Sequence, residues 1–148
     1  MNVRTHTFGF LVFLCLSFSA FGQKKVVWEL KYDEENKEVI LTASVVEGWH
    51  LYSQHTDPNV GPVPTAFRFE ENDAIQFIDK VQEPEPTRHY DRNFEGEVLY
   101  FEGDVNFRQK VEIKENTRLK GTVVYMVCND EMCLPPSDME FEIKVEKQ

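Results

Sequence analysis

An all-β chain, folded as an immunoglobulin-like β-sandwich, is predicted by three features of the sequence. Apolar and polar residues alternate with period two in run after run. Clusters of Gly, Pro, Asn and Asp separate the runs at fairly even spacing. No stretch carries a convincing helical period. About nine short strands with turn signals between them fit two packed antiparallel sheets.

The first 22 residues are set aside from this fold. Arg4 and His6 form a short basic start, Phe8 to Phe18 is an apolar run broken only by Gly9 and Ser17, and Ala20-Phe21-Gly22 supplies the small residues of a cleavage site. Such a segment reads as a cleaved secretory signal peptide. Residues 23–148 are then expected to form one exported domain, long enough to bury a core without disulfide help.

The runs follow in order. Val26 to Tyr32 is β-rich and ends at the charged turn Asp33 to Lys37. Val39, Leu41, Ala43 and Val45 alternate with Ile40, Thr42, Ser44 and Val46, so that strand is covered partly on both faces. Trp49 to Ser53 is a short aromatic strand. His55 to Pro64 holds three prolines and a glycine, which excludes regular pairing. Short strands are expected over Thr65–Phe69 and Ala74–Lys80. Glu83 to Gly96 is expected to be a second long irregular segment, a length more often functional than idle. Glu97 to Phe101 is a strand. In the next, Val105, Phe107, Gln109, Val111 and Ile113 face one way. Leu119, Gly121, Val123, Tyr125 and Val127 share a face of a strand that runs into Cys128. Met139, Phe141, Ile143 and Val145 form the inward face of the last strand.

The chain carries 26 acidic and 16 basic residues, a net charge of −10. It has no Lys/Arg cluster, so nucleic acid and anionic membrane surfaces are poor partners. A small acidic sandwich is expected to be a monomer.

Chemistry concentrates at Cys128-Asn129-Asp130-Glu131-Met132-Cys133, ahead of Leu134-Pro135-Pro136. Four intervening residues allow the ~4.4–6.8 Å Cα separation of a disulfide. A ring this small restricts the unfolded chain weakly, so stability alone is a poor reason for it. Three fates are open: a structural disulfide, a reversible redox pair, or half of a metal site completed by His50, His55 or His89. The histidines have no ligand-like spacing and read as surface or partly buried residues. Asp130 and Glu131, inside the ring, disfavour thiolates, so the pair would react only when a partner desolvates or deprotonates it. Phe94 stands in the irregular segment, either as a loop anchor or as a lid.

Three stretches together resemble the N-terminal periplasmic domain of the thiol:disulfide interchange protein DsbD. They are Glu47-Gly48-Trp49-His50-Leu51-Tyr52, His89 to Gly96 with its Phe-x-Gly core, and Cys128 to Cys133 followed by Leu134-Pro135-Pro136. The resemblance spans roughly Val26 to Val145. It implies an immunoglobulin-like fold in which Cys128 and Cys133 cycle between dithiol and disulfide, with no cofactor, relaying reducing equivalents to exported thioredoxin-like proteins. Cys133 would form the mixed disulfide and Cys128 would resolve it. Phe94 would be the cap over the pair, with Tyr52 packed beside it. A membrane-embedded reductase would supply the electrons. The best-known members have five residues between the cysteines, where this chain has four. Two other functions remain open on the residues alone: a non-catalytic binding module stapled by Cys128–Cys133, with contact loops at 55–64 and 83–96, and a copper or zinc carrier.

Overall fold

The computed structural model describes residues 24–147. The expected signal peptide, residues 1–22, lies outside them. Among the described residues there are eleven strands and no helix: β1 (Val26–Asp33), β2 (Glu38–Val45), β3 (His50–Tyr52), β4 (Ala66–Phe69), β5 (Ile75–Gln82), β6 (Thr87–Asp91), β7 (Gly96–Phe101), β8 (Asp104–Ile113), β9 (Thr117–Tyr125), β10 (Val127–Cys128) and β11 (Ser137–Val145).

The strands form three antiparallel ladders, ordered β1-β2-β8-β5, β11-β9-β4 and β10-β3-β7-β6. Their inward side chains share one core. Val39, Leu41, Phe107 and Val111 enter it from the first ladder, Leu119, Val123 and Phe141 from the second, and Leu51, Phe101 and Val127 from the third. Phe107 sits at the junction, its ring against Trp28, Phe67 and Phe101.

The period-two strands lie where alternation puts them. β8 buries Val105, Phe107, Gln109 and Val111 and exposes the residues between them. Gln109 is a polar side chain on this buried face. It is accommodated because β5 bulges between Ile78 and Gln82, and the Gln109 Nε2 donates to the carbonyls of Ile78 (3.0 Å) and Lys110 (2.8 Å).

Two expectations are corrected. The segment from Glu83 to Gly96 is not irregular throughout, because Thr87–Asp91 forms β6 and pairs with β7 as a hairpin. β6 is an edge strand whose first four residues are all exposed, so it carries no apolar alternation to read. The strand leading to Cys128 is also interrupted. β9 ends at Tyr125, and after Met126 the chain resumes as β10 in a different ladder, paired with β3.

Removing the Phe107 ring leaves a void where the ladders meet. Phe107→Ala should lower unfolding stability by about 3–5 kcal/mol with an unchanged denaturant slope, as measured by equilibrium urea unfolding.

Candidate functional site

Cross-strand register builds the site. In an antiparallel ladder, residues directly opposite each other share a face, and alternate residues along a strand share it too. β3 pairs His50 with Cys128 and Tyr52 with Tyr100. β6 pairs His89 with Val98 and Asp91 with Gly96. Leu51, Phe101 and Val127 therefore turn into the main core, while His50, Tyr52, His89, Asp91, Val98, Tyr100 and Cys128 share the opposite face. There Tyr52, Val98 and Cys128 form a second buried cluster, packed against Val60, Phe94, Tyr100, Met126 and Cys133.

Cys128 and Cys133 are joined by a disulfide, with Cα atoms 4.0 Å apart, closer than the range expected from their spacing. The ring is held tight by its own backbone. The Asn129 N–H donates to the Met132 carbonyl (2.9 Å), and the Leu134 N–H donates to the Val127 carbonyl (3.0 Å). Asn129 Oδ1 accepts from the N–H groups of Glu131 (2.9 Å) and Met132 (2.8 Å). The two sulfurs have different surroundings: Cys128 is fully buried and Cys133 half-buried.

Phe94 stands in the four-residue turn between β6 and β7 and packs in the same cluster as both cysteines. Its ring meets that of Tyr52 edge-on, with centroids 6.1 Å apart. Asp91, 4% exposed, organises the turn. Its Oδ1 accepts from the Asn93 N–H (2.7 Å), and its Oδ2 accepts from the Tyr52 hydroxyl (2.7 Å). Asn93 Nδ2 reaches across to the Asn129 carbonyl (3.2 Å), tying the turn to the disulfide ring. On the other side, Gly61 (φ +138°) lies directly against Phe94, in space that a Cβ would fill. The loop carrying Gly61 is anchored by Thr65 Oγ1, which donates to the Tyr52 carbonyl (2.6 Å), and by the carboxylate of Glu83, which accepts from the Ser53 hydroxyl and the Gln54 N–H.

Electrostatics follow from burial and these bonds. Burial opposes ionisation of Asp91, but the hydrogen bonds from Tyr52 and from the Asn93 and Phe94 N–H groups outweigh it and hold the carboxyl below its usual range. Burial, reinforced by the bond to Asp91, raises the Tyr52 hydroxyl far above the usual phenol value. Burial lowers the His50 imidazole, against the opposing pull of Asp91, Glu102 and Asp130.

All four residues singled out in the sequence, Cys128, Cys133, Phe94 and Tyr52, come together here. The three histidines do not gather as one group. His50 shares the face of the site, beside Tyr52 and opposite Cys128 in the register, His89 rests against Tyr100, and His55 is exposed near Glu83. Among the described residues no three or more His, Cys, Asp and Glu side chains are grouped to hold a metal ion. Asp91, Asn93, Asn129 and Gly61 were missed. The local signal for Asp91 was its place two residues before Asn93, the spacing of an Asx turn.

A cavity of about 480 Å³ opens beside the ring, lined by residues including His50, Asp91, Asn93, Asn129 and Asp130. A larger open cleft of about 820 Å³ lies between β4 and β5, over Phe67, Phe69 and Phe77. Neither cavity is lined by Cys128 or Cys133; the smaller one borders their ring through Asn129 and Asp130.

A family model described as the N-terminal part of the thiol:disulfide interchange protein DsbD matches residues 19–144. Among solved structures, the chain is similar to the DsbD N-terminal domain of Neisseria meningitidis in its reduced form, with a TM-score of 0.62 and 17% identity, covering 82% of this chain and 86% of that one. It is also similar to a structure describing the complex between the DsbD N-terminal and PilB N-terminal domains of Neisseria meningitidis, with a TM-score of 0.59 and 16% identity, covering 83% and 88%. At this identity the likeness speaks for the fold, which is the immunoglobulin-like sandwich that the strand pattern predicted. No curated protein matches the chain in sequence.

Two outcomes test the architecture of the cap. Gly61→Ala forces a Cβ against the Phe94 ring, and such overpacking costs about 1–3 kcal/mol. If Phe94 shields the sulfurs, reduction of the disulfide by dithiothreitol should quicken roughly five- to hundredfold, since ~1.4 kcal/mol is tenfold; an unchanged rate would show that Phe94 does not shield the sulfurs. The second concerns Asp91. A carboxyl lowered on folding stabilises the fold fully above its unfolded value of ~3.9, and that stability is lost as pH falls through the native value. Asp91→Asn should cost about 1–3 kcal/mol at pH 7 and flatten the acid limb of stability against pH.

Proposed function

The chain belongs to the family of the N-terminal domain of the thiol:disulfide interchange protein DsbD, and from that membership we propose that it is an exported dithiol/disulfide exchange module. Cys128 and Cys133 relay reducing equivalents to partner proteins with thioredoxin-like active sites. The observation that carries this reading is the asymmetry of the pair. Cys133 is half-buried at the edge of the cap, while Cys128 is sealed beneath it.

The roles follow from access. Thiol–disulfide exchange requires the attacking sulfur, the attacked sulfur and the leaving sulfur to approach in line. Cys133 is the sulfur that a partner reaches, so it carries the mixed disulfide. Cys128 closes the ring and releases the reduced partner. Phe94 covers the pair until docking displaces the turn, and Tyr52 gives the closed ring its seat. A buried pair under a lid keeps its electrons from small oxidants and unrelated disulfides.

The family's exported setting fits a signal peptide over residues 1–22 that leaves residues 23–148 as a periplasmic domain. The solved complex of a DsbD N-terminal domain with a PilB N-terminal domain supports a protein as the reaction partner. A membrane-embedded reductase is the proposed electron source, and the module works as a monomer without a cofactor.

Mixed-disulfide trapping tests the roles. Cys128→Ala should accumulate a covalent adduct with an oxidised thioredoxin-like partner, seen on non-reducing gels, and Cys133→Ala should form none. Equal adduct from both variants would reverse or void the assignment. The reduction potential of the pair should lie at about −180 to −270 mV against a glutathione or dithiothreitol buffer. A value below about −300 mV would mark a structural staple instead.

A further inference from the structure

His50 is the residue opposite Cys128 in the β3–β10 register. Directly opposed residues of an antiparallel pair carry their Cβ atoms about 4.5–5.5 Å apart on one face, so the side chains of His50 and Cys128 start from neighbouring positions on the face of the site. Cys128 is fully buried. A buried, apolar setting disfavours a thiolate, and so does the acidic ring beside it. A resolving cysteine in this position needs a base of its own.

The hydrogen bonds around His50 prepare one. Its Nε2 lies 3.2 Å from the Tyr52 hydroxyl and 3.7 Å from Asp91 Oδ2. Tyr52 has a single hydroxyl proton, and the ionised Asp91 carboxylate, which can only accept, takes it. Tyr52 can therefore only accept from His50, which makes neutral His50 the Nε2–H tautomer and leaves Nδ1 as its basic atom. When the ring gains a proton, Asp91 is close enough to stabilise the imidazolium. The His50 side chain is 12% exposed and lines the 480 Å³ cavity, so a proton taken up inside the site has a route to solvent.

We infer that His50 is the proton acceptor for the Cys128 thiol in the resolving step of exchange, and the proton donor to it in the reverse step. The inference rests on the exchange reading of Cys128 and Cys133. In the forward step the Cys128 S–H bond breaks and its proton passes to His50. The thiolate attacks Cys133 Sγ, and the Cys128–Cys133 bond forms as the bond from Cys133 to the partner sulfur breaks. The partner sulfur leaves with the electron pair and takes a proton from water. The protein's two thiols have been oxidised and the partner's disulfide reduced, with two electrons passing from protein to partner. His50 then returns its proton to solvent through the cavity. In reverse, a donor thiolate attacks Cys133, Cys128 is expelled as thiolate, and His50 protonates it.

The charged and titratable groups facing His50 come from four places: Tyr52 on its own strand, Asp91 and His89 on β6, Tyr100 and Glu102 at the end of β7, and Asp130 in the ring. Burial is the largest influence and keeps the ring neutral, as a base must be at rest; Asp91, Glu102 and Asp130 temper it.

The test mixes reduced protein with excess dithiobis(nitrobenzoate), which releases one coloured thiolate when Cys133 attacks and another when Cys128 closes the ring. In the wild type, the second phase should rise with pH through a point below ~6.5, level off, and rise again as the thiol ionises unaided toward ~8.5. His50→Gln keeps an N–H donor for Tyr52 and lacks the base. It should lower the ratio of second-phase to first-phase rate roughly tenfold or more at pH 7 and retain only the upper rise. A wild-type ratio and profile in His50→Gln would overturn the role of His50. A wild-type profile with the upper rise alone would do so as well, and needs no variant to fold. Release of a single thiolate by the wild type, with no second phase, would instead overturn the exchange role of the pair.

Discussion

The register of β3 between β10 and β7 is the constraint on which the site depends. Side chains alternate with a period of exactly two residues, so a slip of one residue would carry Leu51 under the cap and turn His50 and Tyr52 into the core. The main core prevents that slip. Leu51 is fully buried, and Phe101 and Val127, its partners on either side, lie in the same cluster. The apolar face of a three-residue strand thus sets the position of its polar face. Fold stability and site geometry are two sides of one ladder.

A second constraint acts along the cap. Asp91 closes the strand that precedes the turn and ties it to Tyr52, which lies beneath Phe94. Gly61 permits the ring to seat because no Cβ intervenes, and Asn93 joins the turn to the disulfide ring through the Asn129 carbonyl. These contacts are short and few, and the Asn93 and Asn129 end of the network is partly open to water. A lid held by a handful of polar bonds at a hairpin tip can move without unfolding the sheet below it. The same bonds are strongest while Asp91 is ionised, the form that the surrounding donors favour.

Much of the fold was legible because β2, β8, β9 and β11 each bury one face, and alternation records that directly. β6 left no such record. It is an edge strand exposed over Thr87 to Tyr90, and its ladder partner, not its own composition, makes it a strand. The cysteines, Phe94 and Tyr52 were legible as a resemblance of motifs. The place of His50 was not, because which residue lies opposite Cys128 depends on pairing two strands some eighty positions apart. In the sequence His50 stood as one of three scattered histidines and as an unassigned position of the Glu47 to Tyr52 stretch. Asp91 was hidden for the same reason: its importance lies in a bond to Tyr52 across two strands.

The acidic ring and the buried histidine make sense together. Asp130 and Glu131 stand exposed in the disulfide loop, where on the proposed exchange reading their charge would disfavour thiolates and so stray exchange. That protection would also slow the intended reaction if the resolving thiol had to ionise unaided. A neutral imidazole beside Cys128, hydrogen-bonded through Tyr52 to Asp91, separates the two demands. In the proposed exchange, charge at the rim would keep the resting pair unreactive, and the base beneath the cap would act once a partner has brought Cys133 into a mixed disulfide. On that reading selectivity resides in the lid and the rim, and rate resides in the face of the sheet.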